Sequence, residues 1–407
     1  MDKSLPRAGS RARELRAYGW GLLFVAMVYL FLANGLALDL FEHSAHDSYT
    51  LQAMRWREGH IALAQDYDWL ELAYYDGGIY VSFPPFPTVP MLLLTFLFGA
   101  NTPSMLVNFL MLLGSYSVGF CMARRLRRGP ATAACMAAFW VAGCNLMEVS
   151  LYGGVWNMAQ GMSFLLTMLA AYGAVRGTRA WRYAGPICIA CAVGCRPFQA
   201  AYVPFVLLAL YRAVRRERRA GVWDALVHMI PYVVVPALIA VAYGAYNYVR
   251  FDNVLEFGHN YLPEFVEAEN GQFSLAYVGK NIRNILRLPY LSNGRLDFPR
   301  AYGFAFYLAN PLFLIAAGRL IEGAWKRQLR AEDAVLAASA GVHFFLLLLL
   351  HKSFGAWQFG TRYLIDLLPM LGLLALRGER RVRFWEGALM IFGICFNAYG
   401  TILFHLT

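Results

Sequence analysis

A dozen apolar runs leave this chain few ways to fold. They cover roughly residues 18–38, 84–99, 105–122, 131–146, 155–175, 183–195, 198–211, 226–246, 301–320, 334–350, 362–376 and 384–404. A helix of about 20 apolar residues crosses the hydrocarbon core of a bilayer, and within lipid the backbone must satisfy its own hydrogen bonds. The runs predict an all-α, polytopic transmembrane bundle, with residues 1–407 as one domain of about eleven full spans and one partial one. Only 15% of the residues are charged, against about 25% in an ordinary soluble domain. The first run is longer than a signal-peptide core and has no small-residue cleavage site after it, so a retained first span is expected.

The net charge is +11, which alone would admit nucleic acid as a partner. The distribution argues against that. Six segments hold 24 of the 36 Lys and Arg residues: the N-terminus (Lys3, Arg7, Arg11, Arg13, Arg16) and residues 124–128, 176–182, 212–219, 326–330 and 377–383. Each abuts an apolar run, as the positive-inside rule requires of cytoplasmic loops. No groove of interleaved aromatic and basic residues suggests nucleic-acid binding. The pattern leads one to expect the N-terminus on the cytoplasmic side of the membrane, with membrane lipids as partners. Cys188, Cys191 and Cys195 share one helical face among Ile, Ala, Val and Gly, where packing is favoured over metal binding.

Against that basic background, residues 39–90 hold eight carboxylates and only Arg55 and Arg57 as basic side chains. Long ordered polar loops between spans tend to carry function. Residues 39–83 are expected to form a first outer loop roofing an active site. Within it, residues 47–58 show helical spacing of Tyr49, Ala53 and Trp56, which suits a helix lying apolar side down on the interface. Gly77-Gly78 is expected to turn the chain. Prolines 84, 85 and 87 forbid a regular helix at the loop's end. The arginines at 124–128 belong inside, so residues 84–99 are expected to re-enter the membrane rather than cross it. Residues 247–300 make a second large outer loop, and residues 143–157 a shorter one. Pro231 and Pro236 are expected to kink their span.

Several residues could carry chemistry. Asp47 can act as general base toward an acceptor hydroxyl or amine, a role worth about 10²–10⁴ in rate; it can equally cap the helix that follows. Asp66 and Asp68 can ligate a divalent cation or form a solvated acidic turn. Arg196, before Pro197, interrupts an apolar stretch and needs an anion, either a lipid phosphate or a carboxylate such as Glu148. Arg362 opens a late span, and its guanidinium suits a phosphate; snorkelling beside aromatic rings is the alternative for it and for Lys352. Asn247, Arg250, Glu256 and His259 lie in a loop rich in Tyr and Phe, a surface that suits sugars and that loop packing explains equally. Tyr80 and Tyr363 join them as candidate substrate contacts. His343, in an apolar span, is expected to bond a backbone carbonyl.

Four fragments, in this order, resemble the bacterial GT-C glycosyltransferases of the ArnT and protein-mannosyltransferase type. GGIYVSFPPFPTVPMLLL is similar to the segment closing their first outer loop. GCRPFQAAYVPF resembles their mid-chain Arg-Pro element, YNYVRFDNVLEFGHNY a polar, aromatic stretch of the large later loop, and FGTRYLIDLLPML the Arg-Tyr opening of a late span. The likeness runs over most of residues 18–377. It implies an all-helical membrane bundle and glycosyl transfer from a polyprenyl-phosphate sugar to a lipid or glycan acceptor of the cell envelope on the outer face. It maps the catalytic first-loop acid onto Asp47 and the phosphate-binding cations onto Arg362, Arg196 and Lys352. A single displacement would invert the anomeric configuration. The chain departs from the family where the mannosyltransferases carry an Asp-Glu pair, reading His46-Asp47-Ser48, and no soluble domain for peptide sequon recognition is expected. No organic cofactor is expected, with a divalent cation left open at Asp66 and Asp68. A transporter or flippase of lipid-linked sugars is the alternative; transporters favour repeated halves and mid-membrane charge.

Overall fold

The computed structural model describes residues 8–219, 221–292, 294–353, 355, 357–377 and 381–406. Lys3, Arg7 and Arg380 of the basic segments lie outside them. Each of the twelve apolar runs carries a helix. Among the described residues, seven helices are long and apolar enough to cross a membrane: Arg11–Gly35, Ser104–Arg125, Val155–Arg176, Pro197–Arg218, Val222–Phe251, Ala331–Leu350 and Phe384–Leu406. Five are shorter: Thr88–Phe98, Pro130–Ala142, Arg179–Val193, Leu312–Trp325 and Leu368–Leu376.

Burial sorts these helices into inner and outer ones. In the most apolar window of Val155–Arg176, 67% of residues are buried, against 11% for Val222–Phe251. A helix that apolar and that uncovered belongs against lipid. At the centre, every residue of Leu368–Leu376 is buried, and it packs on the helices Leu312–Trp325, Val155–Arg176 and Ala331–Phe344. Trp140 Nε1 donates to the Leu368 carbonyl at 2.9 Å. Gly372 makes that approach possible, because a Cβ there would fall inside the Trp140 indole; small residues at helix crossings serve this purpose in membrane bundles.

The structure refines one sequence expectation and changes four. First, Thr88–Phe98 has 11 residues, about 16 Å of helix at 1.5 Å per residue, half the hydrocarbon thickness. That length fits the partial insertion expected of residues 84–99. Second, the turn in the first loop is Asp76-Gly77, not Gly77-Gly78. Strands Leu72–Tyr75 and Gly78–Val81 pair antiparallel with Tyr75 opposite Gly78, and Asp76 and Gly77 take φ of 44° and 71°. This Asp-Gly pair with two positive φ angles matches the right-handed twist of a hairpin.

Third, the helix Ser48–Arg57 does not rest its Tyr49 side on the interface. Tyr49 and Ala53 are fully buried against protein, in a cluster with Phe83, Met91, Val155 and Met158. Fourth, the helix Val222–Phe251 runs on through Asn247 and Arg250, which sequence reasoning had put in the loop, and stops at Asp252 in the left-handed region. Pro231 and Pro236 both lie inside it. Fifth, residues 301–311 carry only the four-residue helix Phe306–Ala309 and do not belong to the span. Ala301 bridges to Trp357, and Asn310 Oδ1 accepts the Asn145 N–H at 3.0 Å, so the helix starts only at Leu312. The second loop carries the amphipathic helix Val278–Leu286 and a small hairpin, Tyr290–Ser292 with Arg295–Asp297.

Helix direction fixes the two ends of the bundle. Ser104 begins its helix beside the first loop, where its Oγ accepts the Ser44 N–H at 3.0 Å. Arg125 ends that helix 22 residues later, about 33 Å away. The large polar loops gather at one end and the arginine-rich helix termini at the other.

Candidate functional site

Asp47 caps the helix Ser48–Arg57. Its Oδ1 accepts the N–H groups of Tyr49 and Thr50, both at 3.1 Å, and its Oδ2 accepts the Thr50 hydroxyl at 2.6 Å. His43 Nδ1 donates to the Thr102 carbonyl at 2.9 Å and lies 3.8 Å from that Oδ2. The residue is 1% exposed. Burial pushes its carboxyl pKa up to about 6, against the Thr50 bonds, which lower it. The cap is therefore made, and the same carboxyl titrates in the range a general base needs.

A short series of contacts connects Asp47 to Arg362. The carbonyl of His46 accepts the Val155 N–H at 2.9 Å, and its ring lies 5.7 Å from that of Trp156. The Arg362 guanidinium lies 5.8 Å from the Trp156 ring and 5.7 Å from the Tyr363 ring. Trp156 Nε1 donates to Glu71 Oε2 at 2.8 Å. The backbone of Arg362 is fixed on both sides: its N–H donates to Gln358 Oε1 at 2.6 Å, and its carbonyl accepts Gln160 Nε2–H at 2.9 Å. Its Nε is buried without a hydrogen bond. Among the described residues no carboxylate lies within ion-pair distance of this guanidinium. It meets aromatic faces instead, a favourable setting for a cation.

Arg196 is differently placed. The helix Arg179–Val193 ends just before it, and Pro197 opens a 3-10 turn after it. Its Nε donates to Asp366 Oδ2 at 2.9 Å, with side-chain exposures of 11% and 1%. Its guanidinium also covers the Tyr363 ring at 4.8 Å. Glu148, offered from sequence as its partner, instead faces His405 at 3.1 Å. The correction has a simple cause: Arg196 and Asp366 end up adjacent only because two broken helices meet, 170 residues apart in sequence. Asp366 left a signal, since a carboxylate within an apolar run needs a partner.

A cavity of about 420 Å³ opens beside this pair, bounded by Pro84, Arg196, Glu256, His259, His351 and Tyr363 among others. His259 donates from Nδ1 to the Ser82 carbonyl at 2.7 Å. Burial first, then the Arg196 charge, depresses its pKa to about 4, so it presents a neutral imidazole. His351, which sequence reasoning missed, is held near 4 chiefly by burial. Glu256 accepts the Gly258 N–H at 2.6 Å and Asn260 Nδ2–H at 2.5 Å. Glu264, also missed, is raised by burial and by the Glu71 charge, with Lys352 and Lys280 opposing.

Other candidates fall outside that lining. Arg250 donates to the Val81 carbonyl and to Asn247 Oδ1, both at 2.9 Å, and so ties the last turn of its helix to the end of the first-loop hairpin. The Tyr80 ring packs on Phe251 at 5.4 Å. Lys352 Nζ donates to the Glu264 carbonyl. Asp66 Oδ1 accepts the Tyr74 hydroxyl at 2.6 Å on an exposed turn, and Asp68 is exposed nearby. Among the described residues, no three His, Cys, Asp or Glu side chains are grouped to share a metal ion. His343 bonds no carbonyl among the described residues; both ring nitrogens are buried without partners, and the ring stacks on Phe198 at 5.7 Å. Trp156 and Glu71 had no local signal, because what matters is where the first loop lands.

No family model matches the chain, and no curated protein matches it in sequence. Solved structures do match. ArnT from Cupriavidus metallidurans bound to undecaprenyl phosphate aligns with a TM-score of 0.54 at 18% identity, covering 92% of this chain and 63% of that one. The archaeal oligosaccharyltransferase AglB from Archaeoglobus fulgidus, in complex with an inhibitory peptide and a dolichol-phosphate, aligns with a TM-score of 0.53 at 14% identity, covering 95% of this chain and 55% of that one. The chain thus spans less than two thirds of either neighbour's length. The alignments cover nearly all of this chain, and it shares its membrane-helix fold with these two proteins.

Proposed function

We propose that this chain is a membrane glycosyltransferase that moves a sugar from a polyprenyl-phosphate donor to a lipid or glycan acceptor of the cell envelope, with inversion. The observation that carries this reading is that Arg362 and His46, the residue before Asp47, both meet Trp156 at the loop end of the bundle. A cavity of sugar size is lined by Arg196 and by Tyr363, the residue after Arg362, and the Arg362 guanidinium, with no carboxylate partner among the described residues, is offered to a leaving phosphate. The polyprenyl phosphates held by the ArnT and AglB structures support the donor class.

An apolar groove of about 560 Å³ gives the donor's tail a place. It runs between the helices Arg179–Val193, Val203–Arg218 and Val222–Phe251, and its lining includes Val193 and Ala200, which flank Arg196 in sequence. An isoprenoid lying there brings its phosphate toward Arg196 and Arg362. The acceptor O–H loses its proton to Asp47, and its oxygen bonds the anomeric carbon from the face opposite the phosphate. The bond from that carbon to the phosphate oxygen breaks, its electron pair leaving with the polyprenyl phosphate. Arg362 stabilises that charge in a low-dielectric setting, an effect worth about 3–4 kcal/mol for one well-placed donor. His259, Glu256 and Tyr363 contact the sugar, while Arg250 and Asn247 hold the roof. Basic helix ends at the opposite end of the bundle favour a cytoplasmic N-terminus and an active site on the outer face of the plasma membrane.

One observation favours a second base. Both oxygens of Asp47 are engaged and covered, whereas Glu71 is exposed and bonded to the Trp156 that touches Arg362. Purified Asp47→Asn and Glu71→Gln variants, assayed in liposomes with a polyprenyl-phosphate sugar, decide between them. A loss of at least about 100-fold in Asp47→Asn with donor binding intact supports Asp47. Near-normal turnover there, with the loss in Glu71→Gln, moves the base to Glu71. Donor crossing the bilayer with no sugar transferred by the unmutated chain would replace the enzyme by a transporter.

A further inference from the structure

The end of the bundle away from the loops holds a second cavity, of about 430 Å³, that the chemistry above does not use. Seven arginines line it: Arg125, Arg176, Arg182, Arg212, Arg216 and Arg330, with Arg377 at the edge. They come from the ends of six different helices, so the cluster is a product of tertiary structure and not of one basic run. Only two carboxylates share the lining, Glu217 and Glu332, and both are taken. Glu217 pairs with Arg182, and Glu332 with Arg212 at 2.5 Å. Arg377 pairs with Asp333, just outside the lining.

The remaining four behave otherwise. Among the described residues, Arg125, Arg176, Arg216 and Arg330 have no carboxylate within ion-pair distance. Arg125 makes one long bond, at 3.5 Å, to the Arg176 carbonyl. The positive-inside rule accounts for basic loops, and helix C-termini favour basic side chains. Neither asks that arginines from six helix ends turn toward one concavity. Like charges gathered there repel one another, and a bound anion offsets that repulsion. Guanidinium is the side chain best matched to phosphate oxygens, and the cavity has the size of a small-ligand site.

We propose that this cavity is a second, non-catalytic site for a multiply charged phosphate anion. Its place at the helix ends, level with a bilayer surface, favours the headgroup of an anionic phospholipid as the source, since basic pockets between membrane helices hold such headgroups. A soluble diphosphate offers the same chemistry. The site is independent of the transferase reading, because about 33 Å of helix separates it from the loop end.

Native mass spectrometry of the full chain tests it, with diphosphatidylglycerol, phosphatidylcholine and inorganic pyrophosphate as probes. The unmutated chain is expected to retain diphosphatidylglycerol at least tenfold more tightly than phosphatidylcholine. The triple variant Arg176→Gln/Arg216→Gln/Arg330→Gln is expected to lose that tenfold preference with an unchanged melting temperature in detergent, because no ion pair is broken. Should the triple variant misfold, the single variant Arg216→Gln carries the test, with a several-fold loss expected. Tight pyrophosphate binding that the variant loses, without lipid preference, supports the site and assigns it to a soluble anion. Equal lipid retention by variant and unmutated chain, or no preference for either phosphate probe over phosphatidylcholine, overturns the proposal.

Discussion

Removing Asp366 tests the reasoning about the site most sharply. Asp366→Ala leaves the Arg196 guanidinium in place with its partner gone. Breaking a buried pair on one side costs about 3–5 kcal/mol, because the remaining charge is uncompensated. Arg196 keeps its stack on Tyr363 at 4.8 Å, and its side chain, at 11% exposure, borders the cavity and so reaches water. These two features place the expected loss near the lower end, about 3 kcal/mol. The double variant Arg196→Met/Asp366→Leu removes both charges and fills the volume, so its stability is expected to lie within about 1 kcal/mol of the unmutated chain. Denaturant or thermal unfolding of the purified protein in detergent, followed by tryptophan fluorescence, measures both. The same pair of variants separates folding from chemistry. Arg196 and Asp366 together carry no net charge, so the folded double variant is expected to keep more turnover than an Arg362 variant does. Asp366→Ala within 0.5 kcal/mol or so of the unmutated chain, or a double variant as unstable as the single one, would refute the account of the pair.

Arg362→Ala is expected to lower kcat by about 10²–10³ with little change in unfolding, since no carboxylate loses its partner; a parallel loss of stability would instead make Arg362 a packing residue. Burial raises the folded pKa of Asp47 from the ordinary carboxylate range to about 6, so the base is ionised above that pH, and kcat/KM is expected to fall tenfold per pH unit well below 6; a flat profile from pH 5 to 8 contradicts this. His259 and His351 have folded pKa values depressed to about 4, so the stability they contribute is present above about 6.5 and lost as pH falls through 4. Replacing both with Gln is expected to flatten that acid limb of the melting temperature. Gly360 has φ 68°, and a Cβ there would collide with Asn145 Oδ1 and Ala309 Cβ. Gly360→Ala is therefore expected to destabilise by about 2 kcal/mol or more and to lower turnover by displacing Thr361 and Arg362, as unfolding and activity measured together will report.

Much of the architecture was legible in the residues. Apolar runs longer than a buried core helix needs gave the helices, because a bilayer imposes one length and one backbone solution. The clustering of arginine at run ends gave two chemically different ends to the bundle, and the acid-rich stretch before Pro84 gave the first long loop. Helix ends and loop turns were less legible. Asn247 and Arg250 look like loop residues because they are polar, yet they extend a helix by bonding to Val81 and to each other. The Asp76-Gly77 turn was available as a local signal and was misplaced by one residue.

The sequence alone determined that this chain lives in a membrane, that its acid-rich first loop and its excess arginines lie at opposite ends, and that Asp47, Arg196 and Arg362 were worth following. Only the tertiary structure decided which charges are neutralised. Arg196 is paired because two broken helices bring Asp366 to it, Arg362 is left among aromatic rings, and four arginines at the far end share one hollow whose two acids pair with other arginines. The reason is physical: local pattern follows from short-range sterics and from transfer between water and lipid, both readable residue by residue. Whether a cation meets a carboxylate, a ring or open space depends on distances of 3–6 Å or so between segments that only packing brings together.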